Sequence, residues 1–448
     1  MTQPLFLQIE GKSLSCSCGH THHIHTQKTL VGNNLLPRLP QLLREIAPAN
    51  KVLLIFDENT YRAAGSTVEQ ILKGEQFEVI PVLLRKNPGL FYLEPDEEAR
   101  AQIGEYLYQN PDILMAVGSG VINDLVKFVA HRVSLPFLSV ATAPSMDGYP
   151  SPGAPMMVSG YKVTYQATPP RAILADLDVL TQAPMPLIHA GLLDLLGKVI
   201  ANADWIMRKT LWEEDFCDAI WQMTRENLQS VVAEAENLSL RKPEAIYALT
   251  VALLNSGFGM DMIGDSRPAS GAEHLIAHYL EIMALHRSID PSLHGLRVGT
   301  ATVLMHRIYR RFLEEMSDLP WDRKTSSGEK LETVKTAFGP LFPLVQETVR
   351  KKLDMVVPPI IKERQVQKQL KEAVAEKLSV LTNPLEVLKK AQAPEHLVSL
   401  GFPKTMIREA FLFARFLRER ATILDLLDQI GLLEEYVDWV LKENQGTR

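Results

Sequence analysis

Short β-rich runs alternate with amphipathic stretches from Lys51 to about Asp178, and apolar residues then recur at helical spacing through nearly all the remaining chain. These two textures predict an α/β domain on a parallel sheet followed by an all-helical domain. The prolines of Thr181-Gln-Ala-Pro-Met-Pro186 punctuate the change, so the expected domains are residues 1–182 and 183–448. A length of 448 residues, far beyond one small core, agrees with two domains.

The first clear strand is Val52-Leu-Leu-Ile-Phe56, followed by a helix near Thr60 to Lys73 and a strand at Phe77-Glu-Val-Ile-Pro-Val-Leu-Leu84. A helix near Asp96 to Gln109, the strand Ile113-Leu-Met-Ala-Val117, a helix from about Val121 to Arg132 and the strand Phe137-Leu-Ser-Val140 complete the series. That rhythm calls for parallel strands joined by crossover helices. In the helical half, the polar stretch Ser317 to Lys330 is expected to be an exposed loop. No internal repeat or low-complexity tract interrupts the chain.

Hydrophobic content of 46% with 22% charged residues is ordinary for a soluble globular protein. A net charge of -6 with scattered basic residues gives no electrostatic reason to expect nucleic acid or an anionic membrane, so the ligand is expected to be small. Only Cys16, Cys18 and Cys217 are present, and no hydrophobic N-terminal segment follows a basic flank, which argues against secretion. No apolar run is seen to approach the roughly 20 residues of a membrane span. A cytoplasmic protein is expected.

Gly118-Ser119-Gly120, followed by Val121 and Ile122, lies between a buried strand and a helix. Its amides and the helix dipole suit a pyrophosphate, although the same turn serves plain chain reversal and Gly-x-Gly-x-x-Gly after the first strand is absent. Asp57, at the end of the first strand, is placed to accept hydrogen bonds from an adenosine ribose or to cap a turn. The strand 137–140 runs into Ala141-Thr142-Ala143-Pro144-Ser145-Met146-Asp147-Gly148, which puts hydroxyls and one acid at the carboxyl edge of the sheet, where open α/β sheets bind ligands. Asp147 also fits an ordinary turn. The fold class expected is thus an α/β N-terminal Rossmann-like parallel-sheet domain followed by an all-helical C-terminal domain.

The helical half carries Ser266-Arg-Pro-Ala-Ser-Gly-Ala-Glu-His-Leu-Ile-Ala-His-Tyr279, then Leu293-His294-Gly295, and before both Gly191-Leu-Leu-Asp-Leu-Leu-Gly-Lys198. One carboxylate and two or three imidazoles on separate helical segments are what a catalytic divalent-metal site needs, with few protein ligands and an open position. His274 and His278, four apart, share a helix face; two histidines solvating a surface are the plainer alternative. The N-terminal Cys16-Ser-Cys18-Gly-His20-Thr-His22-His23-Ile-His25 is dense in metal-capable side chains, yet Cys-x-Cys is not the usual zinc-knuckle spacing. A β-hairpin with surface histidines is expected there rather than a second metal site.

These residues together resemble the glycerol-1-phosphate dehydrogenase family, within the wider group of dehydroquinate synthases, glycerol dehydrogenases and iron-type alcohol dehydrogenases. The likeness runs from about residue 30 to 310, and more loosely to Arg418-Glu-Arg-Ala-Thr-Ile-Leu-Asp425. Its most specific parts are Ser266 to His274, Ala143-Pro-Ser-Met-Asp-Gly148 with Ser151-Pro152, and Gly191-x-x-Asp194-x-x-x-Lys198. The resemblance implies Asp194, His274 and His294 as metal ligands and Asp147 and His278 beside the substrate. It implies Gly118, Ser119, Gly120, Val121, Ile122, Thr142, Ser145 and Ser151 along the dinucleotide, with Asp57 at the adenosine ribose. Iron-type alcohol dehydrogenases carry a further histidine ligand four residues after the aspartate; Lys198 stands there, as in the three-ligand enzymes, unless it is an exposed helical lysine. Ser119 occupies the middle of what is often a triple-glycine turn, which ordinary backbone angles would permit.

The resemblance further implies reversible reduction of dihydroxyacetone phosphate to sn-glycerol 1-phosphate with NAD(H) or NADP(H), a step of phospholipid biosynthesis, in a homodimer. The divalent metal would be zinc or nickel ahead of iron. The phosphate contact is open, with Lys162 as a candidate beside its plainer role as a solvated hairpin lysine. Two rival functions share the architecture: a polyol (glycerol) dehydrogenase, and a dehydroquinate synthase-like sugar-phosphate cyclase, whose basic substrate loops are not recognisable here.

Overall fold

The computed structural model describes residues 10–323 and 327–443. An antiparallel hairpin, β1 (Ser13–Ser15) and β2 (Thr21–His23), leads into β3 (Lys28–Gly32). The sheet strands that follow are β4 (Lys51–Phe56), β5 (Glu78–Leu83), β6 (Ile113–Gly118), β7 (Phe137–Ala141) and β10 (Ala172–Asp176). Between the last two lies a second hairpin, β8 (Gly153–Val158) and β9 (Tyr161–Gln166). The sheet has six parallel strands in the order β3-β10-β7-β6-β4-β5. The four strands expected from the sequence sit at its centre and one edge; β3, short and half polar, and the late β10 were not anticipated.

Helices cover both sheet faces. In β4, Val52, Leu54 and Phe56 pack with Leu39 and Leu43 of α1 (Leu39–Ile46) and Val68 and Leu72 of α2 (Ser66–Gly74). The alternating Leu53 and Ile55 pack on the other face with Ile103 of α3 (Glu97–Gly104) and Leu125 and Val129 of α4 (Gly120–Val133). A strand buried on both faces has no polar side, which is why the central strands read as continuous apolar runs. The helix expected over 96–109 ends at Gly104 and gives way to a 3-10 turn, Leu107–Gln109.

The chain after β5 crosses from one flank of β4 to β6 on the other, so the order in which strands are added reverses between β4 and β6. In open α/β sheets the ligand crevice lies outside the carboxyl ends of the strands at such a point. Asp57 follows β4 there and Ser119 follows β6.

Helices begin in earnest at Met185, with α5 (Met185–Trp212), α6 (Asp218–Ala233), α7 (Pro243–Ile263), α8 (Ala272–His286) and α9 (His294–Glu315). Packing divides the chain into two compact units: residues up to Leu195 with Gln222–Ser266, and Leu196–Trp221 with Arg267 onward. α7 is a 21-residue helix of mean hydropathy 1.3, long and apolar enough by composition to cross a membrane, so the reading that no apolar run approached that length is corrected. Because 83% of its apolar window is buried within the protein, α7 is a core helix. The loop expected at Ser317 to Lys330 is also revised: Met316–Asp318 forms a 3-10 turn and Ser327–Phe338 a helix, while 324–326 lie outside the described residues.

In the second unit a buried carboxylate fixes the start of α8. Asp204 Oδ2 accepts from Ala272 N at 2.7 Å, and Oδ1 accepts from Tyr309 Oη at 2.5 Å and Ile423 N at 2.9 Å. Burial pushes its pKa up to about 6, against the lowering effect of the Tyr309 hydroxyl. A second buried centre joins Asp425 to Lys352 at 2.7 Å and to Arg415 at 3.2 Å. Removing one partner of such a group strands the other charge at a cost of about 3–5 kcal/mol.

Candidate active site

In the first unit β6 runs into α4 through Gly118 and Ser119. Ser119 has φ −109°, ordinary extended backbone, so serine is accommodated where glycine is frequent. Gly118 is required by packing: a Cβ there would meet Ile122 Cβ at 2.7 Å. Ser119 makes no side-chain cap at the helix start; its hydroxyl instead bonds to the Ser145 hydroxyl. The first-turn amides of α4, Gly120, Val121 and Ile122 among them, are thus left for an anion. Thr142 N donates to Gly118 O at 3.1 Å, which brings the 141–148 loop against the glycine turn.

Lys127 of α4, which the sequence reading passed over, holds the far end of that loop. Fully buried, its ammonium donates to Gly148 O at 2.6 Å, Gly153 O at 3.0 Å and Ser151 Oγ at 3.2 Å. Burial lowers its pKa, and Asp124, at 3.5 Å, opposes that. The available signal was an Asp124/Lys127 pair at i, i+3 on an otherwise apolar helix. Lys162 lies in β9, opposite Met157 in register, where its charge acts on Asp124.

Asp57 Oδ1 accepts from Thr60 N at 2.8 Å while Asp57 N donates to Thr60 Oγ1 at 2.9 Å, a capping box on the turn leading into α2. The capping role weighed for this residue is therefore present, at the sheet's switch point. Asp147 N donates to Asp194 Oδ2 at 3.1 Å, and Ser256 Oγ donates to Asp147 Oδ2 at 2.8 Å. Two glycines admit this approach: a Cβ on Gly191 of α5 would lie 1.8 Å from Pro144 O, and one on Gly257 of α7 would lie 2.2 Å from Asp147 O. Gly257→Ala is expected to lower stability by about 1–3 kcal/mol through overpacking. A chemical-denaturation midpoint equal to wild type would show that the loop yields at no cost.

In the second unit His274 and His278 rise from α8 and His294 opens α9. The ring centroids of His294 lie 5.3 Å from His274 and 5.2 Å from His278, and the latter pair is stacked. Glu273, fully buried, meets His274 Nδ1 at 2.5 Å and also accepts from Gly271 N at 3.0 Å. A carboxylate on Nδ1–H leaves the Nε2 lone pair outward, the tautomer a metal-ligating histidine needs. The adjacent Glu273-His274 pair is the sequence signal for this contact.

Arg297, fully buried, ties the segment before His294 to α8. Its guanidinium donates to Ala277 O at 3.0 Å, Ser292 O at 2.6 Å and Pro291 O, and pairs with Glu281 at 3.0 Å. Glu281 also lies 3.6 Å from His278 Nδ1. Lys198 is not an exposed lysine: it is fully buried and donates to Ala269 O at 3.1 Å, within the Ser266 to His274 segment. Gly197 beside it is required by packing, since a Cβ there would meet Val298 Cγ1 at 2.6 Å and Glu273 Cγ at 3.3 Å. Arg418 donates to Ser270 Oγ at 3.1 Å, which ties the 418–425 stretch to the Ser266 to His274 segment.

The chain is similar to several known proteins. The family model for iron-containing alcohol dehydrogenases matches residues 30–184. A protein of Halalkalibacterium halodurans named glycerol-1-phosphate dehydrogenase [NAD(P)+] is 33% identical over 426 residues, covering 95% of this chain and 98% of its own. A Bacillus licheniformis protein of the same name is 33% identical, with 94% and 93% covered. One from Pyrococcus horikoshii is 31% identical over 62% of this chain and 77% of its own. Among solved structures, a probable glycerol dehydrogenase of Sinorhizobium meliloti superposes with a TM-score of 0.62 at 15% identity, covering 94% and 98%. An NADH-dependent butanol dehydrogenase of Thermotoga maritima gives 0.59 at 16% identity, covering 94% and 97%. The structures attest the fold, and the full-length identities show that the chain belongs to the glycerol-1-phosphate dehydrogenase family.

Proposed function

We propose that the protein reversibly reduces dihydroxyacetone phosphate to sn-glycerol 1-phosphate with NAD(P)H and a divalent metal held by Asp194, His274 and His294. The observation that carries the metal reading is Glu273 on His274 Nδ1, because a carboxylate–imidazole pair of that kind prepares a ligand nitrogen. His294 is its ring neighbour, and Asp194 is the carboxylate that the family resemblance supplies. When bound, the metal supplies Lewis-acid polarisation of the C2 carbonyl and the nicotinamide supplies the hydride.

The chain's own groups do the rest. The amides at the start of α4 bind the pyrophosphate, and Thr142, Ser145 and Ser151 line the cofactor, with Lys127 pinning the loop that carries them. Asp147, steadied by Ser256, orients the substrate and through its amide orients Asp194. His278 carries the proton that the product hydroxyl gains, and Glu281 near its Nδ1 positions the ring for transfer. Zinc or nickel suits two imidazoles and a carboxylate, and the working form proposed is a cytoplasmic homodimer, which sedimentation tests.

An assay of the purified protein with NADH and dihydroxyacetone phosphate, run beside glycerol and a heptulosonate phosphate, tests the activity. Oxidation of NADH by the first alone supports the proposal. Turnover of glycerol with NAD, or cyclisation of the heptulosonate phosphate, would replace it with one of the rivals.

Asp57 further predicts a preference for NADH over NADPH of at least about tenfold. The equivalent 1.4 kcal/mol is small beside the repulsion of a carboxylate and a 2′-phosphate at close range. Asp57→Asn keeps a capping oxygen for Thr60 and should bring the two efficiencies together. Equal kcat/KM for both cofactors in wild type, unmoved by the substitution, would show that Asp57 does not read the ribose.

A further inference from the structure

The N-terminal hairpin holds a cluster that the dehydrogenase reading does not use. Cys16 and Cys18 lie in the connection between β1 and β2, and His22 lies in β2. The turn is tight: Gly19, at φ +88°, donates to Cys16 O at 3.1 Å, and Cys16 N donates to His20 O at 3.0 Å. It folds the two thiols back toward β2, so that one ligand atom from each of Cys16, Cys18 and His22 lies within 4.8 Å of the other two. No disulfide joins any of the chain's three cysteines.

His22 departs from the expected surface histidines. His20, His23 and His25 are exposed, but His22 is buried, and its Nδ1 lies 2.9 Å from Met262 O at the end of α7. A carbonyl can only accept, so Nδ1 carries the proton and Nε2 presents a lone pair. That Nε2 faces Cys18 Sγ at 3.2 Å. Zinc bonds of about 2.3 Å to sulfur and 2.0 Å to nitrogen set tetrahedral neighbours roughly 3.5 Å apart, so the pair already spans close to one edge of such a site.

We propose that Cys16, Cys18 and His22 bind a structural zinc ion, distinct from the metal of the dehydrogenase reaction. Linear Cys-x-Cys spacing argued against a knuckle, but the turn at Gly19 and the anchored imidazole bring the ligands together regardless. Binding releases the two thiol protons to solvent and leaves thiolates on the metal, with no redox change. The ion fastens the hairpin to the end of α7, where His25 already pairs with Asp261 through Nδ1 at 2.8 Å and through its backbone amide at 2.9 Å. Loss of the metal loosens the hairpin and leaves the sheet in place.

Cobalt(II) titration of the full chain tests this, because thiolate ligands give a near-ultraviolet charge-transfer band that carboxylate and imidazole ligands do not. The expected result is a band saturating at one equivalent, of an intensity for two thiolates. Cys16→Ser with Cys18→Ser should abolish it, while His274→Ala should retain it, which separates this site from the proposed catalytic one. Absence of the band in wild type, or its survival in the double variant, overturns the proposal. Should the double variant fail to fold, iodoacetamide labelling of wild type decides: zinc should slow modification of Cys16 and Cys18 at least tenfold, and equal rates with and without zinc overturn the site.

Discussion

His274→Ala and His294→Ala are each expected to lose the catalytic metal and to lower kcat/KM by roughly 10³-fold or more, the rate equivalent of several kcal/mol of charge stabilisation. Fold should persist, because α8 is started by Asp204 and α9 is held by Arg297, neither of which depends on the imidazoles. His278→Ala should differ, keeping its metal while turnover falls by about 10²–10⁴-fold, the usual contribution of a positioned acid or base. The contrast has an alternative outcome, since His278, Glu281 and His294 also present ligand atoms within 4.8 Å of one another. The 3.0 Å pair of Glu281 with Arg297 favours Asp194 as the carboxylate ligand. Metal analysis showing loss on His278→Ala and retention on His274→Ala would move the ion to that second set. Glu273→Gln gives an intermediate result, weakening metal binding about 10–100-fold with the ligands intact.

How far the sequence carried depended on whether a contact was local. Strand 113–118, the glycine turn and α4 are consecutive, so hydrophobic pattern and turn chemistry place them together without tertiary information. The edge strand β3 fails that test, because among the described residues its sheet partner is β10, some 140 residues later, and its own pattern is half polar. The histidines were legible as types at helical spacing, whereas what orients them was only partly so. Glu273 is next to its target in sequence, but Arg297 acts on carbonyls of two other segments and reads as an ordinary helical arginine. Lys127 and Lys198 show the same limit: lysine suggests solvent, and burial became visible only once the carbonyls that receive each ammonium were in place. Gly257 is silent in the sequence, and Gly191 enters it only through the resemblance, because the cause of each is the backbone of a loop far away along the chain.

Glycerol and dihydroxyacetone are expected to be poor substrates, by about a hundredfold or more in kcat/KM relative to their phosphates, even with the metal fully loaded. A three-carbon metabolite offers few contacts, so most of its orientation must come from a charged anchor gripping the phosphate. Such an anchor fixes C2 against the hydride donor, and a misplacement of about 1 Å is enough to cost roughly 10²-fold. The loss should therefore fall on kcat as well as on KM, because binding energy from the remote phosphate is realised at the reacting carbon. The Ser266 to His274 segment is built to stay rigid under this demand: Lys198 holds Ala269 O, Asn202 holds Pro268 O at 2.9 Å, and Arg418 holds Ser270. Adding inorganic phosphite to the dihydroxyacetone reaction separates the two contributions, since the dianion restores turnover where the anchor acts on the transition state and has no effect where it only recruits substrate. Equal kcat/KM for dihydroxyacetone and its phosphate would make the protein a polyol dehydrogenase despite its family.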